Sequence, residues 1–402
     1  MSLDLAATIS QIDQVSQSLV KDRSDRQRRL RGLLEAAAEI SPQQAMERTR
    51  EAGVPFLAAQ VVDALLDSIP PPAAPPDWTA LSVDGSHIDV DRHLPVPCYL
   101  INLGGCEITY GSGAEARFFS RPHLAAQPEE LYLRSAEEPN VEEAVTGNLL
   151  GMYRTVRELS VLLEETRHCP ASQPVLALVD GTLVMWGLAG RAYPEFVRRH
   201  IIEEGLLEAL RGFQDLAREG KVTLAAYVSL PRTTEVVNAI RRCLCSHNLE
   251  SCQRACSNRR SDLEPCSQAN DFLDRDILGD ALLPYHRSPV YRTLSSVPRD
   301  LYGPGQQVYF YYLNAGEEIA RIEVPEWVAM DEALLAQSHS LIVEQCRRGQ
   351  GYPVVITEAH EQAVITGRDR QLFREMVSQT LERQGLPSYT SQKERSKQRP
   401  WV

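Results

Sequence analysis

Two acids stand out for the residues around them. Asp84 in "LSVDGSH" (residues 81–87) and Asp180 in "LALVDGTLVMW" (residues 176–186) each end an apolar run that reads as a buried strand, and each is followed by a glycine and a hydroxyl residue. An ionised carboxylate buried without a partner costs several kcal/mol or more, so a positive partner is expected. Hard divalent cations prefer carboxylate oxygens, and two acids that repel each other become stable once a cation sits between them. A carboxylate at the C-terminal end of a strand is held stiffly yet faces a cleft, and the next glycine lets the backbone turn away. Asp-Gly by itself is an ordinary solvated turn. Two copies on apolar strands, 96 positions apart (180 minus 84), point to chemistry.

The elements that must position these acids follow from periodicity. Residues 5–66 read as helices, namely "LAATISQIDQVSQSLVKDRSDRQRRLRGLLEAAAEI", "SPQQAMERTREA" and "PFLAAQVVDALLDS", with Ser41 and Pro42 as an N-cap and first-turn pair. The Pro-rich stretch "IPPPAAPPDW" (69–78) cannot continue a helix and marks a boundary. We therefore expect an N-terminal helical region with its linker over 1–75, a main domain over 76–388 and a loose tail over 389–402. "ALSVDGS", "VPCYLINLGG" and "CEITYGSG" predict a strand followed by an antiparallel hairpin or meander. Next come a helix over 141–168, the strand "VLALVDG", a helix over about 193–218 and the strand "KVTLAAYVSLP". A Cys-rich insertion over 243–280 interrupts this order. "QQVYFYYLNA" and "EIARIEVPEWV" form an expected strand pair, "DEALLAQSHSLIVEQCRRG" a helix, and "YPVVITEAHEQAVIT" a strand turning into a helix. The order is that of an α/β fold whose functional groups collect at strand ends.

Composition narrows the classes. The chain has 402 residues, 43% hydrophobic and 24% charged, as a globular protein does. No run of about 18 apolar residues is present, and the first twenty residues lack a signal-peptide core, so no membrane association and a cytoplasmic location are expected. The net charge of −12 argues against indiscriminate nucleic-acid binding but leaves room for a local basic channel.

Taken in order, "SVDGSH", "MYRTVRELSVLL", "LALVDGTLVMWGL", "AAYVSLPRTTEVVNAIR" and "GYPVVITEAHEQAVI" resemble the NurA nuclease family over roughly residues 78–385. The resemblance implies an RNase H-like mixed sheet flanked by helices, a homodimer, and manganese (or magnesium) as cofactor. It also implies exonuclease and single-strand endonuclease activity on DNA, and work with a HerA-like hexameric ATPase in end resection and double-strand break repair. Asp84 and Asp180 would be metal-binding acids. The family's further helix acid maps to Glu158, with Glu164 and Glu165 as alternatives, and its C-terminal Tyr and His map to Tyr352 and His360.

Those residue types suit the reaction. Phosphodiester hydrolysis needs charge neutralisation, an activated water and a stabilised leaving oxygen, all of which metals held by acids supply. His360 could bond the scissile phosphate, transfer a proton or bind metal, and Tyr352 is assigned a phosphate or supporting contact. Glu358 and Glu361 flank His360 and could add charge, or form a solvated helix turn. Ser86 and Thr182 could orient water, but more simply satisfy backbone groups in their turns. Arg232 is a candidate DNA-phosphate contact or a plain surface arginine.

Five of nine cysteines, Cys243, Cys245, Cys252, Cys256 and Cys266, fall within the insertion. They could hold zinc or an iron-sulfur cluster, although C-x2-C pairs are absent; reduced thiols are the alternative. A second reading of the whole chain is a catalytically silent adaptor or DNA-binding subunit whose insertion is the recognition module, and a third is a different metal phosphohydrolase on the same core.

Overall fold

The computed structural model describes residues 4–50, 56–90, 96–138, 140–170, 172–189, 193–220, 222–245 and 265–385. Two N-terminal helices, α1 (Leu5–Ala38) and α2 (Pro42–Thr49), start where side chains satisfy free amides: Asp4 accepts from Ala7 N and Ser41 from Gln44 N. The strands are β1 (Gln60–Val61), β2 (Trp78–Ile88), β3 (Tyr99–Tyr110), β4 (Glu115–Ala125), β5 (Tyr132–Arg134), β6 (Glu142–Ala144), β7 (Val175–Asp180), β8 (Val222–Val228), β9 (Tyr291–Arg292), β10 (Val308–Asn314) and β11 (Ile319–Pro325). Nine of them form one mixed sheet in the order β1-β9-β10-β11-β8-β7-β2-β3-β4. Within it β2, β3 and β4 make an antiparallel meander, while β2, β7 and β8 run parallel.

Helices cover both faces. On one lie α4 (Gly147–Thr166), which follows the short α3 (Pro128–Leu131), and a long helix made of α5 (Glu195–Arg198), a π-helical stretch (Arg199–Leu206) and α6 (Leu207–Glu219). They pack on Leu81, Val83, Ala177, Val179, Leu224 and Ala226. The same face continues under α7 (Glu235–Leu244) and α8 (Asp274–Ala281), where Leu30, Leu33 and Ala37 of α1 join Phe310 and Tyr312. After α9 (Ser296–Leu301) and α10 (Glu326–Ala329), the opposite face is closed by α11 (Glu332–Arg348) and α12 (Val354–Ala363), packed on Ala80, Leu176, Leu178, Ala225 and Ile322. Because β7 is covered on both sides, its run of apolar residues is continuous rather than alternating.

Several sequence expectations need correction. Residues 56–68 are not a helix: Val61 N donates to Thr49 Oγ1, Ala59 N donates to the Glu235 carbonyl and β1 joins β9, so Ala59, Val61 and Leu65 are buried by sheet and α7 contacts. The Gly104–Gly105 pair does not separate two strands but lies inside β3, where α12 crosses so closely that a Cβ on Gly104 would strike the backbone of Gln362 and Ala363. β4 continues the meander beyond the part foreseen. Val354 opens a helix, not a strand, directly after Pro353, and a further helix, α13 (Gly367–Arg383), follows. The tail over 389–402 lies outside the described residues.

Candidate active site

The parallel pairing of β2 with β7 runs from Thr79 beside Val175 to Val83 beside Val179, so the next residues on the two strands are Asp84 and Asp180. Neighbouring strands are about 4.8 Å apart, and side chains at the same level of a parallel pair point to the same face. Here that face belongs to α12, since Ala80, Leu176 and Leu178, in step with the two acids, pack there. The offset of 96 positions is thus the register of the sheet.

Only one acid sits as the sequence suggested. Asp180 ends β7, and Gly181 adopts φ +102°, a left-handed turn that glycine takes without strain. β2 by contrast runs through Asp84 and Gly85 to Ile88. Gly85 therefore does not turn the chain; it makes room. A Cβ there would stand 2.5 Å from Glu158 Oε1 and 3.1 Å from Arg154 Cγ, so α4 brings both side chains against the backbone next to Asp84.

Glu158 is the helix acid that the structure brings to this place. Glu165 is tied to Arg117 and Arg121 of β4, and Glu164 lies 3.3 Å from Arg121. Burial pushes the Glu158 carboxyl up to about 8; Arg154 opposes this, and the charges of Asp84 and Asp180 add to it. Arg154 Nε lies 2.9 Å from Glu158 Oε1, near enough for attraction but misaligned for a hydrogen bond, and Oε1 is left buried without a partner. Asp180 is open to solvent but ringed by protein atoms: burial and then Asp84 raise its carboxyl, while the Tyr352 hydroxyl, donating at 3.3 Å, lowers it.

The C-terminal pair reaches the same place. His360 Nδ1 lies 2.7 Å from Asp84 Oδ2, and with a carboxylate opposite it Nδ1 is the donor. Its side chain stays 57% exposed, leaving the ring's other nitrogen toward solvent. Tyr352 sets its ring edge-on against Tyr227, with centroids 5.2 Å apart. Ser86 donates to the Ala363 carbonyl and Asn102 Nδ2 to the same oxygen at 3.0 Å, which pins the end of α12. Thr182 is not free for water, because it donates to Glu323 Oε2 at 2.7 Å. Glu358 is half-buried, its charge felt by Cys106, and Glu361 is exposed. Arg232 is exposed in the loop after β8 and forms no ion pair among the described residues.

Sequence reasoning missed Arg154, His87 and Glu323. Arg154 carried a readable signal, since it stands one helical turn before Glu158. Glu323, which also accepts from Leu183 N at 2.9 Å and so holds the loop after Asp180, carried none.

Among the described residues, no group of three or more His, Cys, Asp or Glu is already drawn together as a metal-ligand set. The donors of the site nevertheless fit a hard divalent cation: Glu158 Oε1, against Gly85, is a buried acceptor with no donor, and its carboxyl feels the charges of Asp84 and Asp180. The Cys-rich insertion is different. Cys252 and Cys256 lie outside the described residues, Cys243, Cys245 and Cys266 are buried, and burial pushes the Cys243 thiol up to about 11, away from the thiolate a metal needs.

The sequence model of the NurA domain matches residues 79–365, which includes every residue of this site. The chain belongs to the NurA family of nucleases. Among solved structures it is similar to the NurA nuclease from Sulfolobus solfataricus, at 11% identity and a TM-score of 0.46, over 92% of this chain and 98% of that one. No curated protein matches it. Among the described residues no helix is long and apolar enough to cross a membrane.

Proposed function

We propose that this NurA-family chain is a divalent-cation-dependent DNA nuclease with an RNase H-like core, acting as an exonuclease and single-strand endonuclease. The observation that carries this is the placement of Asp84 and Asp180 at one level of two adjacent strands, with Glu158 against the neighbouring Gly85 and with His360 and Tyr352 bonded to the two aspartates. The order β4-β3-β2-β7-β8, a meander followed by two strands parallel to its first, supports the RNase H-like reading. Manganese, the homodimer, the HerA-like ATPase partner, the role in end resection and the cytoplasmic location rest on family membership and composition.

Asp84, Glu158 and Asp180 would hold the cation, which when bound neutralises nonbridging oxygens and lowers the pKa of water. The chain's own groups do the rest. Asp84 holds the imidazole of His360 by Nδ1, so the ring presents its other nitrogen toward a phosphate oxygen or the departing oxygen. The hydroxyl of Tyr352 steadies Asp180. Gly85, lacking a Cβ, leaves the space that Glu158 Oε1 occupies beside Asp84. A 5'-labelled single-stranded oligodeoxynucleotide incubated with the protein should be degraded with manganese and intact with chelator. No degradation with any divalent cation would instead favour the silent adaptor.

A further inference from the structure

Beyond the acids, β2 carries a second set of unsatisfied groups. Val83, Gly85 and His87 alternate onto the face covered by α4, and Val83 is buried among α4 residues. Arg154 lies against Gly85, and the strand beyond His87 is tied to the start of α4 by a 2.7 Å bond from Gly147 N to Asp89. Arg154 therefore sits beside the Gly85–His87 stretch. Both residues keep a buried nitrogen without a hydrogen-bond partner, Nε of Arg154 and Nδ1 of His87. Burial and then Arg154 lower the His87 imidazole; Asp89 opposes them, and Arg370 of α13 adds a further positive charge. The Arg154 side chain remains 29% exposed although its Nε is buried, so solvent reaches part of it.

Donors left over beside acceptors left over are complementary to a phosphodiester. The unmatched carboxylate oxygen calls for a cation, and the unmatched nitrogens call for an anionic oxygen. Two residues along a strand span about 6.6 Å, roughly one nucleotide step along an extended single strand. We propose that Arg154 and His87 form a seat for the phosphate adjoining the scissile one. This rests on the nuclease reading. Pairing with Glu158 alone does not account for Arg154, because their contact is misaligned and leaves atoms of both unsatisfied.

The seat is tested by fluorescence anisotropy of a labelled single-stranded oligodeoxynucleotide with the full-length protein in chelator, over a series of KCl concentrations. Arg154→Met should weaken binding on the order of tenfold and flatten the plot of log affinity against log salt by about 0.7, the share of one phosphate contact. Arg154→Lys should keep the salt slope and lose less affinity, since it keeps the charge but not the planar fork. His87→Gln leaves the Arg154–Glu158 pair in place; it should weaken binding about threefold, and it supplies the readout should Arg154→Met fail to fold. If folded Arg154→Met binds with unchanged affinity and slope, or if His87→Gln binds as wild type, the seat is overturned while the nuclease reading stands. Wild-type protein that neither binds nor degrades the strand overturns both.

Discussion

Two sets of charges sit on the same sheet, and they are built to opposite rules. Under α7, Arg321 lies 2.7 Å from Glu235 and 2.8 Å from Glu323, and its guanidinium carbon stands 3.6 Å from the ring centroid of Phe310. Every carboxylate oxygen there is engaged: Thr293 donates to Glu235, Thr182 and Leu183 N to Glu323, and Val237 N and the Tyr312 hydroxyl to neighbouring Asp274. Against Gly85, Glu158 faces one misaligned arginine and its Oε1 has no partner, while Asp84 is held by His360 and Asp180 by the Tyr352 hydroxyl. In the first set only Arg321 Nη2 is left without a partner, every carboxylate oxygen is matched within the chain, and the set holds structure. The second leaves a buried carboxylate oxygen unmatched within the chain, which is the reason we propose it as the functional site. The two meet at Thr182 and Leu183, through which the closed set fixes the loop bearing Asp180.

Breaking either set should therefore give opposite results. Asp180→Asn is expected to lower strand hydrolysis at least about a thousandfold, while the metal-free protein melts at the same or a higher temperature because a repulsion has gone. Arg321→Met should do the reverse in kind. It leaves two buried carboxylates unpaired and should cost about 3–5 kcal/mol in chemical denaturation.

Gly85→Ala sharpens the contrast further. Its methyl group would meet Glu158 Oε1 at 2.5 Å, and displacement of that carboxylate by even an ångström should reduce hydrolysis about a hundredfold with little change in melting temperature. The smallest effect is on pH. Glu158 titrates near 8 when folded without cation and near 4.5 when unfolded, so between those values the folded chain keeps a proton that the unfolded chain releases. Its contribution to stability is complete below 4.5 and is lost as pH rises through 8. Thermal melts of chelated protein should show this decline, and Glu158→Gln should flatten it.

Much of the site was legible because it follows local rules. The two aspartates ended matching apolar runs, and their separation equals the β2–β7 register; Glu158, Tyr352 and His360 came from the family resemblance, and in the structure Glu158 lies against Gly85 while Tyr352 and His360 bond the two aspartates. What was not legible depends on what crosses a residue in space. Gly85 and Gly104 read as turn or separator signals, but each marks a strand passing close beneath a helix. Residues 56–68 have helical spacing, but sheet and α7 contacts override it. The alternation of Arg321 and Glu323 with Ala320, Ile322 and Val324 has the pattern of a strand with one wet face, whereas β11 lies between β8 and β10 and is covered on both sides.

Calorimetric titration of manganese into chelator-stripped protein examines the central claim most directly. The wild type should bind with measurable heat, and Asp84→Asn combined with Asp180→Asn should abolish that heat while the variant remains folded. Equal binding by wild type and the doubly substituted protein would show that the cation is held elsewhere.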